Sequence, residues 1–151
     1  MTVVYHGRTP KPEAEEECNA RYCSTLDELL ETSDVVSLHC PLTKQTQDLI
    51  DANALSKMKD SAVLINTARG AVVDEVALSD ALIHGEIAGA GLDVFVSEPD
   101  VGEHLIGLDN VLLSPHVGTA TTETRDEMGL RVIENIKMFL STGQPIDKVE
   151  R

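Results

Sequence analysis

The sequence predicts an α/β protein built on a doubly wound parallel sheet. Short apolar runs alternate with segments of helical periodicity, which is typical of a parallel sheet covered by helices on both faces. The chain has 151 residues, about one average domain, and can bury a core without disulfides or metal ions. Apolar residues make up 42% of it, as in globular proteins.

The strands are predicted from apolar runs and the residues that end them. In chain order they are Val3–Tyr5, Arg21–Ser24, Asp34–Leu38, Ala62–Ile65, Ile87–Val94 and Val111–Leu113. Gly7 and Pro10 end the first strand, and Asn66 ends the fourth. Six such runs separated by helical segments imply crossover connections, which parallel strands require.

The helices are predicted from apolar spacing and from capping residues. A first helix starts in the acidic run 13–17, and a second follows a capping box, Thr25-x-x-Glu28, with an apolar face of Leu26, Leu29 and Leu30. Further helices are expected over 51–59, with Leu55 and Met58 inward, over 74–84, and over 121–140. The apolar set of the 74–84 helix is Val76, Leu78, Ala81, Leu82 and Ile83, and that of the last is Met128, Val132, Ile133, Ile136, Phe139 and Leu140.

Composition excludes several classes of function. Twelve Lys and Arg against 26 Asp and Glu give a net charge of −14, which argues against nucleic-acid and anionic-membrane surfaces because both attract clustered cations. Three cysteines form neither a C-x-x-C pair nor a metal-ligand spacing, so we expect a reduced, cytoplasmic setting and no metal site. No apolar run reaches the length of a membrane span.

Three ionisable side chains follow different predicted strands. Arg69 follows the fourth strand, Glu98 the fifth and His116 the sixth. Ligands of open α/β sheets bind beyond the carboxyl ends of the strands. If these strands are parallel neighbours, all three side chains meet at one edge of the sheet.

These residue types suit the reduction of a ketone that stands beside a carboxylate. Arginine binds a carboxylate bidentately, histidine delivers a proton near neutral pH, and a neighbouring glutamate favours the charged imidazole. Taken alone, a histidine after a strand is more often structural than catalytic, and Arg69 and Glu98 by themselves are consistent with an ordinary turn and loop. Their conjunction at one sheet edge favours catalysis by Arg69, Glu98 and His116.

Four motifs in this order resemble the NAD(P)-binding domain of the D-isomer-specific 2-hydroxyacid dehydrogenases, closest to glyoxylate/hydroxypyruvate reductases. They are Ser33-Asp-Val-Val-Ser-Leu-His-Cys-Pro-Leu-Thr43, Met58-Lys-Asp-Ser-Ala-Val-Leu-Ile-Asn-Thr-Ala-Arg-Gly70, Gly89-Ala-Gly-Leu-Asp-Val-Phe95 with Glu98-Pro99, and Ser114-Pro-His-Val-Gly-Thr-Ala-Thr121. The resemblance covers nearly the whole chain and implies a Rossmann-like fold. Related formate dehydrogenases have glutamine at the position of Glu98, so Glu98 argues against that branch.

The resemblance also implies roles for individual residues. Arg69 would bind the substrate carboxylate, and His116 would donate the proton with Glu98 hydrogen-bonded to it. Asp93 would contact the nicotinamide carboxamide. Cofactor contacts are further expected from Cys40, Pro41, Thr67, His116 and Gly118.

Cofactor choice is read at the end of the first strand, where an acidic residue selects NAD and an arginine accommodates the 2′-phosphate of NADP. The segment Gly7-Arg8-Thr9-Pro10 is followed by Lys11 and contains no acid. We therefore expect Gly7, Arg8, Thr9 and Pro10 to contact the cofactor. On this electrostatic argument, we expect the protein to bind NADP in preference to NAD.

The chain departs from the family pattern at its start. It lacks the G-x-G-x-x-G loop and the strand before it, and Gly89-x-Gly91 is no substitute because it lies within a strand. That strand is central in the order 3-2-1-4-5-6, so the Val3 and Val35 strands should be separated. We interpret residues 1–151 as a partial NAD(P)-binding domain, with 121–141 a helix that in the family reaches a substrate domain.

Three functions remain open. The first is NAD(P)H-dependent reduction of a small 2-keto acid by a longer parent enzyme, which the family implies is a homodimer. The second is an inactive truncated fragment, with the edges of the Val4 and Val35 strands unpaired. The third is a corepressor-like protein of the same fold that senses NAD(H), which the acidic composition and Arg8 disfavour.

Overall fold

The computed structural model describes residues 1–149 and divides the chain into two compact units, one from Met1 to His116 and one beginning at Val117. The first unit contains the strands β1 Val3–Tyr5, β2 Ala20–Tyr22, β3 Val35–Leu38, β4 Val63–Asn66, β5 Gly89–Leu92 and β6 Val111–Leu113. Its helices are α1 Pro12–Cys18, α2 Leu26–Thr32, α3 Ala52–Leu55 and α4 Glu75–His84, with a 3₁₀ turn at Gly70–Val72. The second unit contains α5, Thr122–Thr142.

All strand pairs are parallel, as predicted, and they form two sheets. One contains β1 and β2, and the other has the order β3-β4-β5-β6. The predicted separation of the Val3 and Val35 strands is confirmed, since β1 and β3 belong to different sheets. Helices connect β1 to β2, β3 to β4 and β4 to β5, so the α/β class is confirmed.

The strands differ in length from the sequence prediction because a strand extends only as far as it pairs with its neighbour, whatever the length of the apolar run. The predicted 87–94 strand shortens to Gly89–Leu92, which pairs in register with Val63–Asn66 of β4. Ile87 and Val94 are buried but lie outside the ladder. The second strand is displaced toward the N-terminus, to Ala20–Tyr22, by its register with Val3–Tyr5.

Side-chain caps define where the helices begin. Thr25, Asp51 and Asp74 accept hydrogen bonds from backbone amides of α2, α3 and α4, and these bonds satisfy amides that lack intrahelical partners. Of the two hydrogen bonds of the predicted capping box, the one accepted by Thr25 forms, whereas the one accepted by Glu28 comes from a different amide. Thr25 Oγ1 accepts from the amide of Glu28 at 3.1 Å, while the Glu28 carboxylate accepts from the amide of Ser24 at 3.0 Å.

Two helix predictions are corrected. The predicted 51–59 helix ends at Leu55, and 3₁₀-type hydrogen bonds over 54–58 still bury Leu55 and Met58 as expected. On α4, Leu78, Ala81 and Leu82 are buried, whereas Val76 and Ile83 are 61% and 60% exposed. A helix that covers a sheet from one side buries a single stripe, and these two residues lie off it.

The core of the first unit lies between the four-stranded sheet and its helices. Its fully buried side chains include Leu30, Ile50, Leu55, Leu64, Leu78, Ile87 and Leu105. Strand β3 buries Val36 and Leu38 and exposes Val35 and Ser37, so alternate residues of this strand face the core.

The second unit is dominated by α5, which begins at the Thr121 cap and ends at a left-handed Gly143. Its predicted apolar residues are exposed, from 47% at Ile133 to 78% at Leu140. The segment after the helix folds back on it, because Arg131 binds both carboxylate oxygens of Asp147 at 2.6 Å. Among residues 1–149, no helix is long and apolar enough to cross a bilayer.

Candidate active site

The three candidate catalytic residues follow three adjacent strands. Strands β4, β5 and β6 are neighbours and parallel, so their carboxyl ends meet at one edge. Arg69, Glu98 and His116 follow β4, β5 and β6 in that order. The predicted convergence on one sheet edge is therefore present in the fold.

The turn that carries Arg69 is organised by a buried amide. Asn66, the last residue of β4, is 1% exposed. Its side chain accepts from the amide of Ala68 and donates to the carbonyl of Arg69, both at 3.0 Å. Its own carbonyl accepts from the amide of Asp93 at 3.0 Å, which ties this turn to the end of β5.

Arg69 is exposed at the rim of a cavity of about 540 Å³. The cavity lies at the carboxyl ends of β3 and β4, and its lining includes the expected cofactor residues Cys40, Pro41 and Thr67. The guanidinium donates to the carbonyl of Ala68 at 2.6 Å. Its other N–H groups are available to bind a carboxylate in the cavity.

Glu98 and His116 form a direct pair. His116 Nδ1 lies 2.8 Å from Glu98 Oε2, with 49% of the His116 side chain and 35% of the Glu98 side chain exposed. The other carboxylate oxygen of Glu98 accepts from the amide of Phe95 at 3.0 Å. Both oxygens are thus held, and the imidazole is oriented by the carboxylate.

The electrostatics of the pair involve Arg69 as well. The hydrogen bond from His116 lowers the pKa of Glu98, and the Phe95 amide and the positive charges of His116 and Arg69 lower it further. Glu98 is therefore an anion over the whole neutral range. The anionic carboxylate lies 2.8 Å from His116 Nδ1 and orients the imidazole ring.

His116 has a left-handed backbone, with φ of +52°. For a residue with a Cβ this conformation costs on the order of 1–2 kcal/mol. Such residues cluster at functional sites, where the surrounding structure holds them in place. Here the left-handed residue is the one whose ring pairs with Glu98.

The segment Gly7–Pro10 follows β1, which belongs to the two-stranded sheet. The hydroxyl of Tyr22 donates to the carbonyl of Gly7 at 3.0 Å, and the amide of Lys11 donates to the hydroxyl of Tyr5 at 2.6 Å. The Arg8 side chain is exposed. The segment is thus anchored at both ends and presents a cation.

The remaining expected contacts fall in different places. Asp93 is half-buried at the end of β5, and its amide is held by Asn66. Gly118 belongs to the second unit, so the first unit alone does not test its expected place at the cofactor. Among the residues that the structure describes, no group of His, Cys, Asp and Glu could hold a metal ion.

Sequence patterns did not predict the supporting contacts that three residues make around this site. Asn66 shapes the Arg69 turn, Tyr22 holds Gly7, and Glu75 accepts from the amide of Val96 at 2.7 Å. The apolar strand preceding Asn66 predicts its burial, and a buried amide needs partners. The contacts of Tyr22 and Glu75 join elements distant in the sequence, and no local pattern predicts them.

Comparison with known proteins decides the family. The sequence profile described as "D-isomer specific 2-hydroxyacid dehydrogenase, NAD binding domain" matches residues 1–118. The chain belongs to this family. The resemblance seen in the four motifs is confirmed, and with it the Rossmann-like class of the fold.

Relatives within the 2-hydroxyacid dehydrogenase family are named as glyoxylate reductases. The glyoxylate reductase of Thermococcus litoralis is 50% identical over 151 residues, which are all of this chain and 45% of the relative. Glyoxylate/hydroxypyruvate reductase B of Pectobacterium carotovorum is 51% identical over 142 residues, 93% of this chain and 44% of the relative. The chain therefore spans less than half the length of these relatives.

A solved structure shows the same architecture. The NADPH-dependent glyoxylate/hydroxypyruvate reductase of Sinorhizobium meliloti, crystallised with NADP and malonate, superposes with a TM-score of 0.91 and is 42% identical. The match covers 99% of this chain and 46% of that one. At this identity the likeness extends from the fold to the family.

Proposed function

We propose that this chain carries the carboxylate-binding and proton-donating groups of an NAD(P)H-dependent reductase that converts a small 2-keto acid to the D-2-hydroxy acid. The observation that carries the proposal is the Glu98–His116 pair at 2.8 Å, with the charge of Arg69 acting on the same carboxylate. Glyoxylate and hydroxypyruvate are the proposed substrates, because the relatives are named for them.

Each side chain has one task in the proposed reaction. Arg69 binds the substrate carboxylate through two N–H groups and orients the adjacent carbonyl. His116, with Nδ1–H donated to Glu98, transfers the proton on Nε2 to the carbonyl oxygen as this becomes the hydroxyl. The exposed imidazole then recovers a proton from water. Glu98 keeps the ring oriented throughout.

The residues present fit the nicotinamide half of a dinucleotide. The cavity of about 540 Å³ lies beyond the carboxyl ends of β3 and β4, where open α/β sheets bind nucleotides. Cys40, Pro41 and Thr67 would contact the cofactor there, with Asp93 nearby at the end of β5. When bound, the reduced nicotinamide supplies the hydride. The protein's part is to place the keto carbon and its proton donor.

NADP is the proposed preferred cofactor. Arg8 is exposed on a segment anchored by Tyr22 and Tyr5, so a 2′-phosphate would meet a cation without first ordering the loop. A structural relative is described as NADPH-dependent. Replacing Arg8 by Asp in an active enzyme should shift the ratio of kcat/KM values from NADPH toward NADH. Unchanged selectivity would refute the assignment.

The remaining architecture of the parent enzyme is also a proposal. Residues 1–151 form part of its NAD(P)-binding domain, and the helix over 121–141 leads to the substrate domain. The parent is expected to be a cytoplasmic homodimer. The isolated chain is expected to be inactive, because backbone amides of a glycine-rich turn bind the pyrophosphate in this fold and no such turn occurs in this sequence.

The test is a chimera in which this chain replaces the matching 45% of Thermococcus litoralis glyoxylate reductase. We expect it to oxidise NADPH in the presence of glyoxylate or hydroxypyruvate. His116→Gln should lower kcat by on the order of 10²–10⁴-fold, the usual contribution of a general acid. Glu98→Gln should lower kcat, and Arg69→Lys should mainly raise KM, because lysine cannot bind the carboxylate bidentately.

The unmodified Thermococcus enzyme, produced and assayed in parallel, is the control for folding and assay conditions. An active chimera whose kcat is unchanged by His116→Gln would contradict the proposed proton donor. A folded chimera without activity on any 2-keto acid would contradict the function as a whole.

A further inference from the structure

We propose that Glu75 is a positioning residue for the Glu98–His116 pair: its carboxylate holds the amide of Val96 and so fixes the segment that carries Glu98. This rests on the proposed function, in which the pair donates the proton. Glu75 lies outside the four family motifs from which the site was identified.

Glu75 is the first residue of α4, directly after the Asp74 cap. Its Oε1 accepts a hydrogen bond from Val96 N at 2.7 Å. The residue is half-buried, and hydrogen bonds to a charged acceptor are roughly twice as strong as neutral ones. The start of α4 is thereby tied to a segment more than twenty residues along the chain.

The segment held in this way carries the Glu98 carboxylate. The amide of Phe95 binds Glu98 Oε1 at 3.0 Å, and Glu98 Oε2 binds His116 Nδ1 at 2.8 Å. The next amide, that of Val96, is the one bound by Glu75. Two successive amides are therefore held by two carboxylates, and rotation of either peptide would move the contact that orients Glu98.

A second contact supports the segment from the side of the Arg69 turn. A Cβ placed on Gly70 would lie 2.0 Å from the carbonyl carbon of Phe95 and 2.4 Å from Val96 N. The backbones of the two segments are thus in direct contact at the same two residues that the carboxylates hold. Glu75 and Gly70 together define one support for the Glu98 segment.

Polar restraint is needed from Val96 onward, because regular structure is absent there and side-chain burial ends at Phe95. Residues 93–100 form neither helix nor strand. Phe95 is buried, but the side chains of Val96 and Ser97 are exposed. Removing the Glu75 acceptor should let the peptide at Val96 reorient toward water.

A purely structural role makes a different prediction. An acidic residue in the first turn of a helix is favoured by the helix dipole, and in that case Glu75 would stabilise α4 without affecting Glu98. The two readings differ in what happens to the titration of Glu98. Its pKa is lowered by the contacts with His116 and the Phe95 amide, so loosening the segment should raise it. Removal of the Glu75 charge by itself would change the pKa of Glu98 in the opposite direction.

The experiment follows the carboxyl ¹³C shift of Glu98 against pH in the glutamate-labelled chain. Glu75→Ala removes the acceptor, and Glu75→Asp keeps the charge at the helix start but shortens the side chain by one methylene. We expect the pKa of Glu98 to rise toward its ordinary range in both. Glu75→Gln retains an oxygen that accepts from Val96 and should keep the pKa low. Asp80→Ala, which removes an exposed carboxylate from the same helix, is the matched control and should leave the titration unchanged.

The outcomes separate the two proposals. If the pKa of Glu98 is low in the unchanged chain and stays low in both Glu75→Ala and Glu75→Asp, the role of Glu75 is overturned. The proposed function is then left intact. If Glu75→Ala does not fold, Glu75→Asp decides on its own. An ordinary pKa of Glu98 in the unchanged chain would overturn the pair itself, and with it both proposals.

Discussion

Gly70→Ala adds only one methyl group, but we expect it to lower the stability of the fold strongly. An alanine Cβ there would lie 2.0 and 2.3 Å from the carbonyl carbon and oxygen of Phe95. Ordinary contacts begin near 3.4 Å, so the two backbones must separate by about 1.4 Å. Because both sides of the contact are main chain, no side-chain rotation relieves the clash.

The expected cost of Gly70→Ala is at the upper end of overpacking, about 3 kcal/mol. For a domain of this size, 1 kcal/mol corresponds to roughly 2–4 °C in Tm, so the variant should melt about 6–12 °C lower. Thermal unfolding followed by circular dichroism measures this shift. The matched control is Gly7→Ala in the same unit, where an added Cβ meets no atom within 4 Å, and it should change stability by less than about 0.5 kcal/mol. A Gly70→Ala chain that melts with the control would refute the close contact.

Two further predictions follow from polar contacts. Asn66→Ala removes both side-chain bonds of the Arg69 turn and should lower the free energy of unfolding by about 1–3 kcal/mol, measured by urea denaturation, because it leaves backbone groups without partners. Hydrogen bonds from Arg131 and Asn135 lower the pKa of Asp147 to about 2, so the folded state is favoured above the ordinary aspartate pKa and this contribution is lost as pH falls from about 4 to about 2. Asp147→Asn should remove that part of the acid dependence in urea denaturation curves, and an identical acid dependence in both chains would contradict it.

Local patterns predicted the order and type of the elements because most strands contain an apolar run and most helices begin at a capping residue. Asp74, for example, accepts two amides at the start of α4, at 3.1 Å each. The limits of the strands were predicted less well, since they depend on partners. Ile87 and Val94 are as apolar as a strand requires, but β4 has no residues left to pair with them.

The order of the strands was enough to predict which catalytic candidates lie close together. Arg69, Glu98 and His116 each follow a strand, and parallel neighbours bring those positions together. The supports of the site were not predictable in the same way. The contact of Glu75 with Val96 and that of Gly70 with Phe95 depend on how α4 and its preceding turn pack against the end of β5. An exposed face such as that of Val76 on α4 likewise follows from which side of the helix meets the sheet.

The two tyrosines provide an intrinsic optical probe of residues 7–11, the loop proposed to contact the cofactor. The chain contains no tryptophan and two tyrosines, whose rings meet edge to face with centroids 5.3 Å apart. Both hydroxyls bind the backbone that flanks Arg8, at Gly7 and Lys11. Tyrosine emission from the unlabelled protein therefore originates entirely beside this loop. A phosphate or nucleotide that binds there can be titrated by tyrosine fluorescence without a reporter group, a substrate or turnover.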